Sequence, residues 1–289
     1  MQITQQDFKN LKDLIYETCG IVVAEEKMYL IRQRLEPLAT SLKCNSFEEL
    51  YDKLVHTNDQ SITELLIDCI TTNETSFFRD KHPFESFQNY ILPKLADTIQ
   101  MRKSSSTDIK ARKIRIWSSA SSTGQEPYSI AINIHEYIKK HGSVSMSPSD
   151  FSILATDISD EVLMKAKTGE YTANEINRGF PADKISEYFQ KNDSHYKIND
   201  SIRNMVEYRK MNLVKPFSSS YFLIGGFDVI FCRNVLIYFD DDARRNIVDQ
   251  FYTLLSDGGF LILGASESLY GISNKFKSES YGNSIVYIK

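Results

Sequence analysis

KIRIWSSASSTGQEPYSIAI, Lys113 to Ile132, decides how the rest of the chain is read. Ile114, Ile116 and Trp117 form a short apolar alternation that stops at Ser118-Ser119-Ala120-Ser121-Ser122-Thr123-Gly124, side chains too small to keep a ligand from the backbone. Pro127 then fits a first helical turn, where its missing N–H costs nothing. Strand, tight loop and helix therefore follow one another directly. In an open α/β sheet such a loop lies at the carboxyl end of a strand, where crevices for nucleotide-like ligands form. The loop lacks the G-x-G-x-x-G spacing and carries Glu126 at the helix start. A carboxylate there opposes a pyrophosphate and favours a ligand with a positive or hydrogen-donating group, although taken alone a glutamate in a first turn more often only complements the helix dipole.

With 289 residues, 42% of them hydrophobic and 25% charged, the chain can bury a sizeable core and has room for two modest domains. A net charge of −4 provides no overall attraction to nucleic acid or to an anionic membrane. The opening MQITQQDFKN shows no basic-then-apolar leader, and no apolar run approaches the ~18 residues of a membrane span, so a cytoplasmic protein is expected. Cys19, Cys44, Cys69 and Cys232 are scattered without C-x-x-C spacing, which suggests reduced thiols and no metal centre.

Upstream of the central stretch, residues 1 to about 100 hold several helical patterns, beginning with Phe8, Leu11, Leu14 and Ile15, and no convincing strand. Ser46 with Glu49 and Ser61 with Glu64 match capping boxes. Lys27, Arg32 and Arg34 fall on or near the second helix, where a solvated basic face is expected. Thr71-Thr72-Asn73-Glu74-Thr75-Ser76-Phe77-Phe78-Arg79-Asp80 is dense in hydrogen-bonding groups and marks a functional junction. Asn73 and Thr75 can present donors and acceptors, and Arg79 can hold a carboxylate through two parallel bonds, while Phe77 and Phe78 suit a core. Asp80 and Pro83 suit the start of a helix towards Met101, and Arg102 to Asp108 has the composition of a flexible linker.

Downstream, Phe151 to Thr156 reads as a buried strand closing in Asp157, before a helix started by Ser159. An acid at that position suits a ribose diol, whose two hydroxyls can donate to one carboxylate. Tyr171 to about Met211 breaks the alternation with brief antiparallel strands, an inserted subdomain, although Val206 to Met211 could equally be the third strand of the main sheet. Phe227 to Cys232 is a central strand followed by Arg233-Asn234-Val235-Leu236-Ile237-Tyr238, polar groups again just past a strand's end. A helix from Asp241, an Asp257-Gly258-Gly259 turn, a strand from Phe260 to Leu263 and a hairpin about Gly282-Asn283 complete the chain.

TTNETSFFRD, WSSASSTGQEPYSIA, LATDIS and FDVIFCRNVLIYF, in this order and spacing, resemble the bacterial chemotaxis receptor methyltransferases of the CheR type. The likeness covers nearly the whole chain. It implies an α/β fold: a Rossmann-like S-adenosylmethionine-dependent methyltransferase domain with an inserted small antiparallel β-subdomain, preceded by an all-α N-terminal domain. Residues 1–101 would form the helical domain, 102–112 a linker, and 113–289 the methyltransferase domain with the insertion within 171–211. The implied reaction methylates glutamate side chains on the cytoplasmic domain of transmembrane chemoreceptors and leaves S-adenosylhomocysteine. Carried over by motif position, Asn73, Thr75 and Arg79 would be the N-terminal contribution to the cofactor pocket, Glu126 and Asp157 its acidic contacts, and Asn212-Leu213 the adenine side. Arg233-Asn234 matches the polar pair after the fourth strand, and Tyr238 the aromatic beside the reacting methyl; Arg79 and Tyr238 would be the catalytic residues. Gln125 stands where a second glutamate is usual, which touches only secondary tuning because Glu126 is retained.

The same resemblance implies a monomer with neither nucleic acid nor membrane insertion among its partners. Some family members dock a receptor C-terminal peptide on the subdomain edge beside a glycine-containing loop; here Phe189 to Tyr196 is short and has no glycine, so no tight docking is expected. Two other classes remain open at this point. An NAD-dependent oxidoreductase would want a glycine-rich pyrophosphate turn that SSASSTG does not match. A non-catalytic adaptor could keep the fold, but would have no need of Arg79 and Tyr238.

Overall fold

A computed structural model gives the fold, describing residues 1–56, 59–141, 146–217 and 226–289. Four helices come first: α1 (Gln5–Cys19), α2 (Met28–Ser41), α3 (Phe47–His56) and α4 (Gln60–Ile70). Each turns an apolar stripe inward, with Phe8, Leu11 and Ile15 of α1 meeting Ile31 and Leu35 of α2, Leu50 of α3 and Leu66 of α4. Ser46 accepts from Glu49 N as its pattern predicts, but Glu49 returns to Asn45 N rather than to Ser46. The box assigned to Ser61 and Glu64 does not form. Asp59 caps α4 by accepting from Ser61 N at 2.9 Å, and Glu64 instead pairs with Lys210. Lys27 and Arg32 are exposed, whereas Arg34 donates to Ile70 O and, at 3.1 Å, to Thr71 O, closing the carbonyl end of α4.

The helix after the junction starts at His82, with α5 (His82–Ser86), a π-helical turn Phe87–Ile91 and α6 (Leu92–Ser105). Pro93 lacks the N–H of a regular ladder, and the wide turn just before it, with Leu92 N bonded to Phe87 O, absorbs the missing bond. Residues 102–112, expected as a flexible linker, are instead largely helical, since α6 runs to Ser105 and α7 spans Ile109–Arg112. Arg102 explains the difference: it donates to Lys113 O at 2.8 Å and pairs with Asp228, which is buried and also accepts from Arg115 N. Phe84, Phe87, Leu92, Leu95 and Ile99 share one hydrophobic cluster with Ile114, Ile116, Val229 and Phe231 of the sheet.

That sheet contains β1 (Ile114–Ser118), β2 (Phe151–Asp157), β6 (Val206–Lys210), β7 (Phe227–Cys232), β8 (Leu255–Leu263), β9 (Lys277–Tyr281) and β10 (Ser284–Ile288). The order is β6-β2-β1-β7-β8-β10-β9, parallel from β6 to β8 and antiparallel beyond. Val206 to Lys210 is thus a main-sheet strand, the second of the two possibilities its sequence allowed. β8 starts before the expected Phe260: Leu255 pairs with Phe227, and the Asp257-Gly258-Gly259 turn bulges before Phe260 meets Val229. Helix α8 (Gln125–His141) packs in the cluster with Val229 and Phe231, while Ile230 and Cys232 pack with α13 (Asp241–Leu254) on the other cluster.

After α9 (Asp160–Thr168) comes the insertion: β3 (Glu170–Thr172), α10 (Ala173–Asn177), α11 (Ile185–Tyr188), β4 (Phe189–Asn192) and β5 (His195–Ile198), then α12 (Asp200–Arg203). Its strands form a separate antiparallel sheet of order β3-β5-β4, with β4 and β5 joined through Asp193-Ser194. Gly179, φ +110°, brings this insertion against the junction: a Cβ there would sit 2.2 Å from Phe77 O.

Candidate active site

Going outward from β1, the chain first builds β2 and β6 on one side and then returns to place β7 on the other. The strand order reverses between β1 and β7, the position where open α/β sheets leave a crevice at their carboxyl ends. A pocket of about 960 Å³, measured out to its open mouth, lies there. The small-residue loop forms its floor and is tied to both neighbouring strands, Ser119 N donating to Phe231 O and Ser121 N to Thr156 O, each at 2.9 Å. Asn73, Thr75, Arg79, Glu126, Asp157, Asn212, Leu213, Arg233, Asn234 and Tyr238 all line this one pocket.

Glu126, in the first turn of α8, is buried. Its Oε1 accepts from Ser118 Oγ at 2.7 Å and its Oε2 from Arg233 Nη1 at 3.0 Å. Burial pushes its carboxyl up from the usual glutamate value, against the pull of Arg233 and Ser118. The Arg233 guanidinium is committed within the protein: Nη2 also donates to Arg79 O at 2.6 Å and Asp80 Oδ2 at 2.9 Å, over the face of Phe84. Asp80 is therefore not the helix cap expected for α5. Its carboxylate serves Arg233, and Lys81 occupies the capping position without a side-chain bond.

Asp157 ends β2 with its carboxylate already fixed by the backbone, Oδ2 accepting from Ser122 N at 2.8 Å and Oδ1 from Ser159 N at 3.1 Å. Burial raises its pKa, opposed by these N–H groups. The Ile158 N–H also faces this carboxylate, which keeps lone-pair capacity for donors in the pocket. Ser159 caps α9 by accepting from Val162 N, which leaves Asp157 to the pocket. Asn212 braces the opposite wall, Nδ2 donating to Thr18 O at 2.9 Å, and Leu213 beside it is buried.

Arg79 donates from Nη1 to Glu74 O at 2.7 Å and forms no ion pair among the described residues. The segment that carries it is anchored rather than loose. Asn73 O accepts from Ser122 Oγ at 3.0 Å, Phe78 N donates to Ser129 Oγ at 3.0 Å, and Phe77 is fully buried with its ring edge-on to Tyr171 and Phe180. Phe78, Asp80, Lys81, Ser122 and Asn234 all adopt positive φ without being glycine, so backbone strain gathers around the pocket. Tyr238 ends a short 3₁₀ turn, Leu236–Tyr238, and its carbonyl accepts from Val22 N at 2.9 Å.

Several pocket residues escaped the sequence. Cys19 ends α1, Ile21 lies just after it and Ile70 ends α4, because the helical domain docks over the crevice. Gly20, φ +71°, permits that docking, since a Cβ would lie 2.4 Å from Val214 Cγ1. Nothing local in α1 signals such a contact. Ile158, Met211 and Phe239 complete an apolar wall.

The lining fits S-adenosylmethionine. Two buried carboxylates suit its cationic groups and ribose diol, the apolar wall suits an adenine, and no nest of glycine N–H groups asks for a pyrophosphate. Among the described residues no His, Cys, Asp or Glu cluster could hold a metal ion, and no helix is long and apolar enough to cross a membrane. The sequence matches two family descriptions, "CheR methyltransferase, all-alpha domain" over residues 6–71 and "CheR methyltransferase, SAM binding domain" over 73–285. It is 37% identical over 286 residues to "Chemotaxis protein methyltransferase 1" of Vibrio cholerae, covering 99% of this chain and 97% of that one. It is 35% identical over 291 residues to the protein of the same name in Pseudomonas aeruginosa, covering 99% of each. A "Chemotaxis protein methyltransferase" of Borreliella burgdorferi is 35% identical over 277 residues, 95% of this chain and 92% of that one. The chain belongs to the CheR methyltransferase family, an all-α domain followed by a domain that binds S-adenosylmethionine.

Proposed function

We propose that the chain transfers the methyl group of S-adenosylmethionine to glutamate side chains in the cytoplasmic domain of transmembrane chemoreceptors, forming glutamyl methyl esters in chemotactic adaptation. The observation that carries this reading is Arg79, a guanidinium without an ion pair among the described residues, on a pocket otherwise rich in acceptors. Such a cation calls for an anionic group on the acceptor substrate, and a carboxylate matches its paired donors. The names of the relatives supply the chemotactic setting.

Bound S-adenosylmethionine supplies a methyl group already activated by a sulfonium centre. A carboxylate is already ionised at neutral pH, so no protein base is needed and alignment with exclusion of water supplies much of the acceleration. In this proposal Arg79 orients the incoming carboxylate and Tyr238 borders the reacting methyl. Glu126 faces the cofactor's cationic side, and Asp157 accepts from the ribose hydroxyls. Asn73, Thr75, Asn234, Asn212 and Leu213 complete the cofactor's surroundings, the last two on the adenine side. Arg233 acts through Glu126, whose charge it holds in place.

Labelled S-adenosylmethionine and receptor-bearing membranes provide the test. Receptor label released as methanol by mild alkali is expected, because an ester hydrolyses there while an amine- or sulfur-linked methyl does not. Alkali-stable label, or none on the receptor, would overturn the glutamate assignment. We further expect the protein to work in the cytoplasm as a monomer, without tight docking of a receptor C-terminal peptide. The tight Asp193-Ser194 connection leaves no loop beside the β4 edge. Saturable low-micromolar binding of a fluorescent receptor-tail pentapeptide would refute that expectation.

A further inference from the structure

Glu267, in the loop after β8, lies outside the pocket lining yet is bound to the segment that forms one wall of it. Its Oε2 accepts from Asn234 N at 2.7 Å and Gly264 N at 2.8 Å, and its Oε1 from Val235 N at 2.9 Å and Leu236 N at 2.8 Å. One carboxylate thus satisfies the donors that open the Leu236–Tyr238 turn, which have no partner within the turn itself. Glu267 forms no ion pair among the described residues, so the dipoles of these N–H groups are what its charge meets. The approach is close: a Cβ on Gly264 would stand 2.6 Å from Glu267 Oε2 and 2.9 Å from Asn234 N. A glycine at the end of β8 is what admits the carboxylate.

The segment so held is the one that carries Arg233, Asn234 and Tyr238 to the pocket. Asn234 sits at φ +57°, a conformation costly for a residue with a side chain, and the bond from its N–H to Glu267 fixes it there. Two residues upstream of the held amides Cys232 is fully buried in β7, and downstream Tyr238 O is bonded to Val22 N, so both ends of the segment are anchored and Glu267 fixes the middle.

We propose that Glu267 is a positioning residue of the cofactor site: together with Gly264 it sets the backbone of residues 234–236, and through it the placement of Asn234 and Tyr238. The inference needs only the cofactor pocket and holds whichever substrate is methylated.

Three measurements test it. In the unaltered protein, amide hydrogen exchange of Asn234, Val235, Leu236 and Gly264 should be slow, although all four lie outside the strands. Exchange at the rate of free amides would overturn the bonding pattern. Glu267→Gln replaces one acceptor oxygen with a donor facing two N–H groups, and Gly264→Ala pushes a methyl into the carboxylate without changing charge. Each should weaken S-adenosylhomocysteine binding, read by calorimetry per folded molecule, by about tenfold, a change of the size expected for a misplaced supporting shell. The double variant should be no worse than the poorer single one, because both break the same contact. Unchanged affinity per folded molecule in both single variants, with only the thermal midpoint lowered, would reduce Glu267 to a structural role. Fully multiplicative losses would overturn its action as a unit with Gly264. The binding readout uses no receptor, so its failure and that of the glutamate assignment are separable.

Discussion

The guanidinium of Arg233, with 1% of its side chain exposed, lies 3.0 Å from Glu126 Oε2 and is the buried cation that supports the pocket's carboxylate. It joins three distant parts of the chain, because the same group holds Asp80 and the carbonyl of Arg79. Removing one partner of a buried pair leaves the other charged and unpaired. Arg233→Met should therefore destabilise the protein by about 3–5 kcal/mol, measured by urea unfolding. A loss under about 1 kcal/mol would mean that Glu126 and Asp80 are solvated well enough without it.

Arg79 differs from Arg233 in having, among the described residues, a backbone carbonyl and no carboxylate as partner. Arg79→Ala should lower turnover on the order of 10²-fold or more, the scale of a lost orienting group, while folding survives. Affinity for S-adenosylhomocysteine should change much less than turnover. Wild-type methylation rates in this variant would return Arg79 to a structural part.

Asp157 makes a different kind of prediction, since its two oxygens are set by Ser122 N and Ser159 N before any ligand arrives. Asp157→Asn keeps the shape but must turn a donor towards one of these N–H groups, against a serine already at φ +48°. S-adenosylmethionine and S-adenosylhomocysteine should lose affinity together, by about 10–100-fold, the size of a lost hydrogen bond to a charged group. A loss confined to the methylated form would place the ribose elsewhere.

The strand-loop-helix core was legible because its signals are local. Alternation ends at Ser118, small residues span the turn, and the acid closing β2 stands where the following helix already has its own cap in Ser159. What was illegible depends on partners far along the chain. Asp80 looks like a cap until Arg233 is brought beside it, and the serine-rich stretch after Met101 looks like a linker until Asp228 holds Arg102. Ser61 and Asp59 compete for one helix start, and spacing alone favoured the wrong one. Glu267 carries no motif at all; its role comes from four N–H groups that only the folded sheet assembles. The domain contact through Cys19 and Ile21 is likewise a product of docking.

Glu126 also fixes a pH dependence. Burial is the largest influence on its carboxyl and raises it, Arg233 and Ser118 lower it, and the charge of Glu267 raises it again. In the free pocket the group thus takes up a proton at a higher pH than an ordinary glutamate. A sulfonium favours the ionised form, so the proton and the cationic ligand compete. The sign follows: S-adenosylmethionine affinity is fully present above the free-pocket pKa and declines as pH falls through it. S-adenosylhomocysteine has the same ribose, adenine and amino acid but a neutral sulfur, and its affinity should decline less over the same range. Calorimetry with both ligands from neutral to mildly acid pH isolates the sulfonium contribution as the ratio of their affinities. In Glu126→Gln that ratio should become nearly flat with pH. A ratio that stays constant in the unaltered protein would assign the sulfonium's electrostatic partner to another group, and a ratio favouring S-adenosylmethionine as pH falls would reverse the sign.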